Sequence, residues 1–294
     1  SLINKLMSGS FSGSTSYFFS RIGKIVTTYD AFEANKHLLV PYFEVLGKID
    51  THLAIASLYK EGLQGNSPVS ICLPEVCDQD RPFIKADRIW HPMINPNVVV
   101  PNNVYMGTEG IRQNWIITGP NAGGKTTTIT ALITNIYLSQ NFGIACADSF
   151  FYTPFSKIIS ALDVKTDLSK DESLFKAEAA RAGMIKRHAL QSSADHLVFT
   201  AIDEPFNGTS AKAASKIAYK YLDQLGNCPY HIAIVTTHFP SLTALESETP
   251  NYTNMKVGDA VVHADKTITY PFTIEQGIST QNIAEAILVA EDVL

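Results

Sequence analysis

The spacing of apolar positions changes along the chain, and each spacing predicts a different element. Phe43, Leu46, Ile49, Leu53 and Ala56 recur at intervals of three and four, which predicts an amphipathic helix starting just past Pro41. The runs Trp115 to Thr118, Gly143 to Ala147, Leu197 to Ile202 and Ile232 to Val235 are short and almost wholly apolar. Each ends in polar residues and is separated from the next by a helical stretch, so they predict buried parallel strands of an α/β sheet. Thr126 to Ser139 reads as the helix after the first of these strands. Val257 to Phe272 alternates loosely around Ala264-Asp265-Lys266, as an antiparallel hairpin at a sheet edge would, and Gln281 to Val293 closes the chain as a helix.

Composition shifts divide the chain. Residues 1–20 mix Ser, Gly and Phe without period and predict a poorly ordered leader. Residues 21–75 predict a small helical segment, and residues 76–294 the α/β domain, with Pro- and Asn-rich sequence marking the approach between them. No internal repeat is visible. The chain opens on Ser1 rather than Met, which suggests a piece of a longer protein.

With 294 residues, 45% of them apolar and 17% charged, the sequence predicts a soluble globular protein with room for a large domain and a smaller one. A formal net charge of -5 supplies no basic field to gather phosphate backbones, so the charge alone disfavours DNA binding by this segment. The four cysteines, Cys72, Cys77, Cys146 and Cys228, form no C-x-x-C pair, which fits a reducing, cytoplasmic setting. No stretch reaches the roughly 18 consecutive apolar residues of a bilayer span.

Candidate chemistry begins directly after the first apolar run. Gly119-Pro120-Asn121-Ala122-Gly123-Gly124-Lys125-Thr126, with Thr127 next, fits G-x-x-x-x-G-K-[ST] between a strand and a helix. Glycines let backbone N–H groups curl around phosphates, and the helix N-terminus adds positive potential. Lys125 would reach the β and γ oxygens of ATP, and the Thr126 hydroxyl would ligate Mg²⁺. The run Leu197 to Ile202 delivers Asp203 and Glu204 at its C-terminal end, where ligands of open α/β sheets gather. Asp203 would hold Mg²⁺, and Glu204 would act as general base toward the attacking water. The last strand ends in Thr236-Thr237-His238, which places the His238 imidazole at the same edge to contact the γ-phosphate or the water. The remaining histidines, His231 among them, read as surface or packing residues. On sequence physics alone Asp171, Glu172 and Ser173 read as a helix cap.

Taken together, these residues resemble the ATPase domain of the MutS family of DNA mismatch-recognition proteins, over about residues 40 to 290. The carrying motifs are Gly119-Pro120-Asn121-x-Gly123-Gly124-Lys125-Thr126, Asp203-Glu204 followed by Gly208-Thr209-Ser210, and Thr237-His238-Phe239. His91-Pro92 and Pro101-Asn102 also match the approach to that family's first strand. The resemblance implies a P-loop NTPase of the ABC/MutS type, with a mostly parallel sheet flanked by helices and a small N-terminal helical segment, the end of the family's lever. It also implies that Ser173, with Phe175 and Glu178, begins a signature helix whose serine reaches a partner's γ-phosphate in trans, reversing the cap reading. Asn207 to Ser210 would lie near the dimer interface, and Gly277 to Val293 would form a helix-turn-helix that clasps the partner. The chain departs from the pattern in several places. Asp171 and Glu172 put negative charge before the signature serine, Lys212 stands at a usually acidic position, Asn207 replaces a basic residue, and Val99 stands where an aromatic often stacks on adenine.

The expected function is therefore a MutS-like ATPase that binds and hydrolyses ATP with Mg²⁺ in composite sites of a homodimer. In the full-length protein this cycle would drive mismatch binding and repair, with DNA held by domains not present in this chain and other repair proteins as further partners. The alternative is a nucleotide-switched anchoring or structural module with negligible turnover and no mismatch recognition, which the acidic signature start favours. The nucleotide-binding half of an ABC transporter shares the sheet and the dimer logic, but its Ser-Gly-Gly-Gln signature is absent.

Overall fold

The computed structural model describes residues 29, 32–63, 68–108, 110–162 and 174–291, and the chain divides into two compact units, Ser1–Ser57 and Leu58–Leu294. Helix α1 (Val40–Leu63) carries Pro41 in its first turn, where a missing N–H costs nothing. The predicted stripe is helical, but Phe43, Leu46, Ile49 and Leu53 are each more than half exposed, so it is not a core face among the described residues.

The second unit is a mixed α/β structure built on two sheets. In chain order its strands and helices are β1 (Glu75–Val76), β2 (Ile84–Ile89), β3 (Asn102–Met106), β4 (Asn114–Thr118), α2 (Lys125–Phe142), β5 (Ser149–Tyr152), β6 (Lys157–Ala161), α3 (Leu174–Leu190) and β7 (Val198–Asp203). There follow α4 (Ala211–Gly226), β8 (His231–Thr237), α5 (Leu245–Glu248), β9 (Tyr252–Val257), β10 (Val261–Val262), β11 (Ile268–Thr269), β12 (Ile274–Gln276) and α6 (Ala284–Ala290). The main sheet has the order β12-β9-β4-β8-β7-β6, parallel throughout except for β12. The smaller sheet, β1-β5-β2-β3, is mixed.

The alternation of β4 shows how the layers assemble. Trp115 and Ile117 enter a core with Ile129, Leu132 and Ile136 of α2 and Phe150 and Tyr152 of β5. Ile116 enters the opposite core with Ala214, Ala218 and Leu222 of α4 and Ile185 of α3. A strand buried on both faces reads as a continuous apolar run, which is why β4, β7 and β8 are visible in the sequence. Asn114 fixes the start of this array, since its Nδ2 donates to Asn251 O at 3.0 Å and its Oδ1 accepts from Ala233 N at 2.7 Å.

Two expectations need correction. Gly143 to Ala147 is not a strand of the main sheet: Ala145 makes an isolated antiparallel bridge to Cys72, and the segment is held by Asn135 of α2, whose Oδ1 accepts from Cys146 N at 2.6 Å. Its burial comes from lying beside a helix rather than from strand pairing. Val257 does not open a hairpin but ends β9, a parallel neighbour of β4, and the hairpin is β10 and β11, a separate two-stranded ribbon. The C-terminal segment Gly277 to Glu291 holds one helix, α6. Among the described residues no helix is long and apolar enough to cross a membrane.

Candidate functional site

The loop from β4 to α2 is shaped by its neighbour β9. Gly119 has φ +145°, and a Cβ there would stand 2.1 Å from Val257 Cγ2; at Gly123 the same methyl would be 2.7 Å away. Only glycine lets the chain turn under Val257 with this backbone. Asn121–Gly123 forms a 3-10 turn, and Gly124, at φ +92°, opens α2 without a side-chain cap and with no acidic residue in its first turn. The helix thus presents bare N–H groups and the positive end of its dipole, the arrangement that receives anions.

Lys125 is 2% exposed, and its Nζ donates to Gly119 O at 2.7 Å and Pro120 O at 3.1 Å. Burial pushes its pKa down, while the nearby Glu204 and Asp203 carboxylates act in the opposite sense and favour the charged form. Thr126 Oγ1 donates to Asp203 Oδ2 at 2.9 Å, so the first turn of α2 and the C-terminal end of β7 meet.

Glu204 follows Asp203 at φ +47°, a left-handed conformation uncommon for a side-chain-bearing residue. Its N–H is shared between Thr236 O and Thr236 Oγ1, both at 3.2 Å. Its carboxylate is held on both oxygens: Oε2 accepts from Asn207 Nδ2 at 2.9 Å, and Oε1 pairs with His238 Nε2. The structure therefore brings Gly119, Pro120, Lys125, Thr126, Asp203, Glu204 and His238 to one edge of the main sheet, while Asn121, Ala122 and Gly123 form the turn beside them. Ser173, Asp171 and Glu172 lie outside the described residues. The helix that follows them, α3, approaches the same edge, where Glu178 Oε2 accepts from Gly208 N at 3.0 Å and the Phe175 and Phe206 rings lie 6.4 Å apart.

Sequence reasoning missed the other side of the loop. A cavity of about 370 Å³ opens beside Gly124, Thr127 and Thr128, walled by Trp90, Val98, Val99, Val100, Ala131 and Phe272. Phe272 packs over the loop, 3.2 Å from where a Gly124 Cβ would stand. Asn102 pins this segment: its Nδ2 donates to Phe272 O at 2.9 Å, and its Oδ1 accepts from Ile274 N at 2.7 Å. Of the apolar walls, Val99 alone carried a hint in the sequence, while Phe272 is brought in from far along the chain and has no local signal.

Among the described residues no group of three or more His, Cys, Asp or Glu could form a metal cage. Thr126 Oγ1 and Asp203 Oδ2, 2.9 Å apart, offer the kind of oxygen donors that a hard divalent cation such as Mg²⁺ would take.

The sequence profile of MutS domain V matches residues 115–293. The probable DNA mismatch repair protein Msh6 of Drosophila melanogaster is 28% identical over 173 residues, 58% of this chain and 14% of the relative. The DNA mismatch repair protein MSH3 of Vanderwaltozyma polyspora is 28% identical over 225 residues, 76% of this chain and 21% of the relative. The endonuclease MutS2 of Lactobacillus johnsonii is 30% identical over 214 residues, 72% of this chain and 25% of the relative. The chain spans no more than about a quarter of the length of these curated relatives.

Proposed function

The chain belongs to the MutS family, and from that premise we propose that it is a P-loop ATPase segment that binds Mg²⁺-ATP and hydrolyses it. The observation that carries this reading is the 2.9 Å bond from Thr126 to Asp203, which joins an uncapped helix N-terminus to a strand end bearing two carboxylates. A triphosphate would take the place of the Gly119 and Pro120 carbonyls as partner of Lys125 Nζ and lie against the first turn of α2. The nucleoside would extend into the apolar cavity between Val99 and Phe272, where few polar contacts orient it and contact area holds it.

Thr126 and Asp203 would hold Mg²⁺, which when bound neutralises charge between the β and γ oxygens. Glu204 accepts the proton of the attacking water as the water oxygen bonds to the γ-phosphorus and the bond to the β-bridging oxygen breaks, releasing ADP. Asn207 and His238 hold the two oxygens of the Glu204 carboxylate, and with nucleotide bound the His238 Nε2–H would leave Glu204 for a γ-phosphate oxygen. Catalysis comes from position and electrostatics, with no covalent intermediate. In a dimer, Ser173 at the start of α3 would complete the partner's site, and Asn207 to Ser210 and Gly277 to Val293 would lie at the contact. The cycle would drive DNA-holding elements outside this chain, in keeping with the mismatch repair proteins it is similar to.

The test is steady-state ATP hydrolysis with Mg²⁺ over a range of protein concentrations. Turnover should rise faster than linearly and vanish in Lys125→Ala. Glu204→Gln should keep ATP binding and lose at least about a hundredfold in turnover. Unchanged hydrolysis in Glu204→Gln removes Glu204 from its role, and tight binding without turnover in the wild type replaces the ATPase with a nucleotide-held switch.

A further inference from the structure

Thr236 lies beside the site without touching the nucleotide's expected path. It is the register partner of Asp203 where β7 and β8 run parallel, and it is fully buried. A threonine in such a strand can serve packing alone, satisfying its hydroxyl on a neighbouring carbonyl. Here the hydroxyl does something else: Thr236 Oγ1 donates to Asp203 Oδ1 and accepts from Glu204 N–H at 3.2 Å. A hydroxyl has one proton to give, and accepting from Glu204 leaves that proton directed at the carboxylate. The other oxygen, Oδ2, is left on the side of Thr126.

We propose that Thr236 is a positioning residue for the metal: it fixes the rotation of the Asp203 carboxylate so that Oδ2 stays aimed at the ion held with Thr126. The inference rests on the ATPase reading given above. The terminal torsion of an aspartate is broad and roughly two-fold, so without a second anchor the carboxylate turns freely about it. A hydroxyl holding one oxygen removes that freedom and partly satisfies the buried side of the charge. Partners of this kind, one step behind a ligand, typically govern metal affinity by about 10- to 100-fold. The same hydroxyl touches the backbone of Glu204, so the metal-side carboxylate and the general base share one anchor.

Thr236→Val tests this cleanly, because valine keeps the shape and the strand bond from Glu204 N to Thr236 O is made by the backbone. The measurement is binding of a fluorescent ATP analogue across a Mg²⁺ titration, with thermal melting as the control for folding. In Thr236→Val the half-saturating Mg²⁺ concentration should rise about tenfold, while metal-free nucleotide binding stays near wild type and a single cooperative melting transition, a few degrees lower, shows that the protein still folds. Thr236→Ser should restore the wild-type Mg²⁺ dependence, and Thr236→Ala should show the shift if valine disturbs packing. An unchanged Mg²⁺ dependence in both the valine and alanine variants overturns the inference and leaves the ATPase reading standing. A wild type whose nucleotide affinity ignores Mg²⁺, or that binds no nucleotide, overturns the metal site and the role of Thr236 with it.

Discussion

The main sheet and the smaller sheet face the same loop and contribute to it by opposite means. The parallel strands β4, β7 and β8 deliver charge and hydrogen-bonding groups at their C-terminal ends: Lys125 after β4, Asp203 and Glu204 at β7, and Thr236 and His238 at β8. The ends of β2 and β3, with Phe272, deliver mainly shape: Trp90 and Asn102 border a cavity whose walls are otherwise largely apolar. In the first region each group is held by one or two specific hydrogen-bonding partners, so removing a single side chain removes a distinct role. In the second, contact is spread over many side chains, and no single one is decisive. The triphosphate and the nucleoside of the proposed ligand would make those two different demands.

The comparison breaks first at Gly119. Alanine there would place a methyl 2.1 Å from Val257 Cγ2 at a φ of +145°, so the loop must leave its course. We expect Gly119→Ala to lower stability by about 3 kcal/mol and nucleotide affinity by at least about a hundredfold. Melting and nucleotide titration check it, and near-native values in both would show that the loop is held by contacts other than its glycines.

A second effect, on stability alone, tests the parallel sheet away from the site. His231 opens β8, is fully buried with Nε2 2.8 Å from Thr200 Oγ1, and burial pushes its pKa down to about 4 from the usual 6.5. The unfolded chain takes up a proton here as the pH falls through 6.5, whereas the folded chain waits until about 4. The stability this residue supports is therefore whole above pH 6.5 and declines toward pH 4, by up to about 3 kcal/mol from this one group. In His231→Gln the fall of melting temperature across that window should flatten, and an unchanged slope assigns the acid sensitivity elsewhere.

What the sequence made legible follows the same division. The glycine-rich loop is contiguous, and strands buried on both faces announce themselves as apolar runs, so Lys125 and Thr126 could be placed at a helix start and Asp203, Glu204 and His238 at strand ends from letters alone. The strand β9 could not, although it lies next to β4. Thr253 and Asn254 are buried within it, and Asn254 is accommodated because its Nδ2 donates to Thr243 O at 2.8 Å and Glu246 Oε2 at 2.9 Å. Polar letters whose partners come from elsewhere look like loop. The reverse error occurred at Gly143 to Ala147, where apolar letters were buried beside α2 rather than in a sheet. Thr236 was in view beside His238, but its role depends on a cross-strand register that no local pattern encodes. The cavity walls converge from positions 89 to 272, so their meeting is a property of the fold alone.

The finest test separates the two halves of the site with two probes. Phe272 is 44% exposed at the cavity and lies over Gly124, where its ring can cover one face of a base. Stacking of a base on an aromatic ring is worth roughly 1–3 kcal/mol by alanine substitution, so Phe272→Ala should weaken ATP binding about tenfold. Inorganic tripolyphosphate has no base, and its affinity should not change, because Lys125 and the first turn of α2 remain as they were. Gly119→Ala, by contrast, should weaken both probes together. If Phe272→Ala weakens tripolyphosphate as much as ATP, the ring acts by holding the loop through its contact with Gly124. The two regions would then be a single mechanical unit rather than separate holds on the two ends of one ligand.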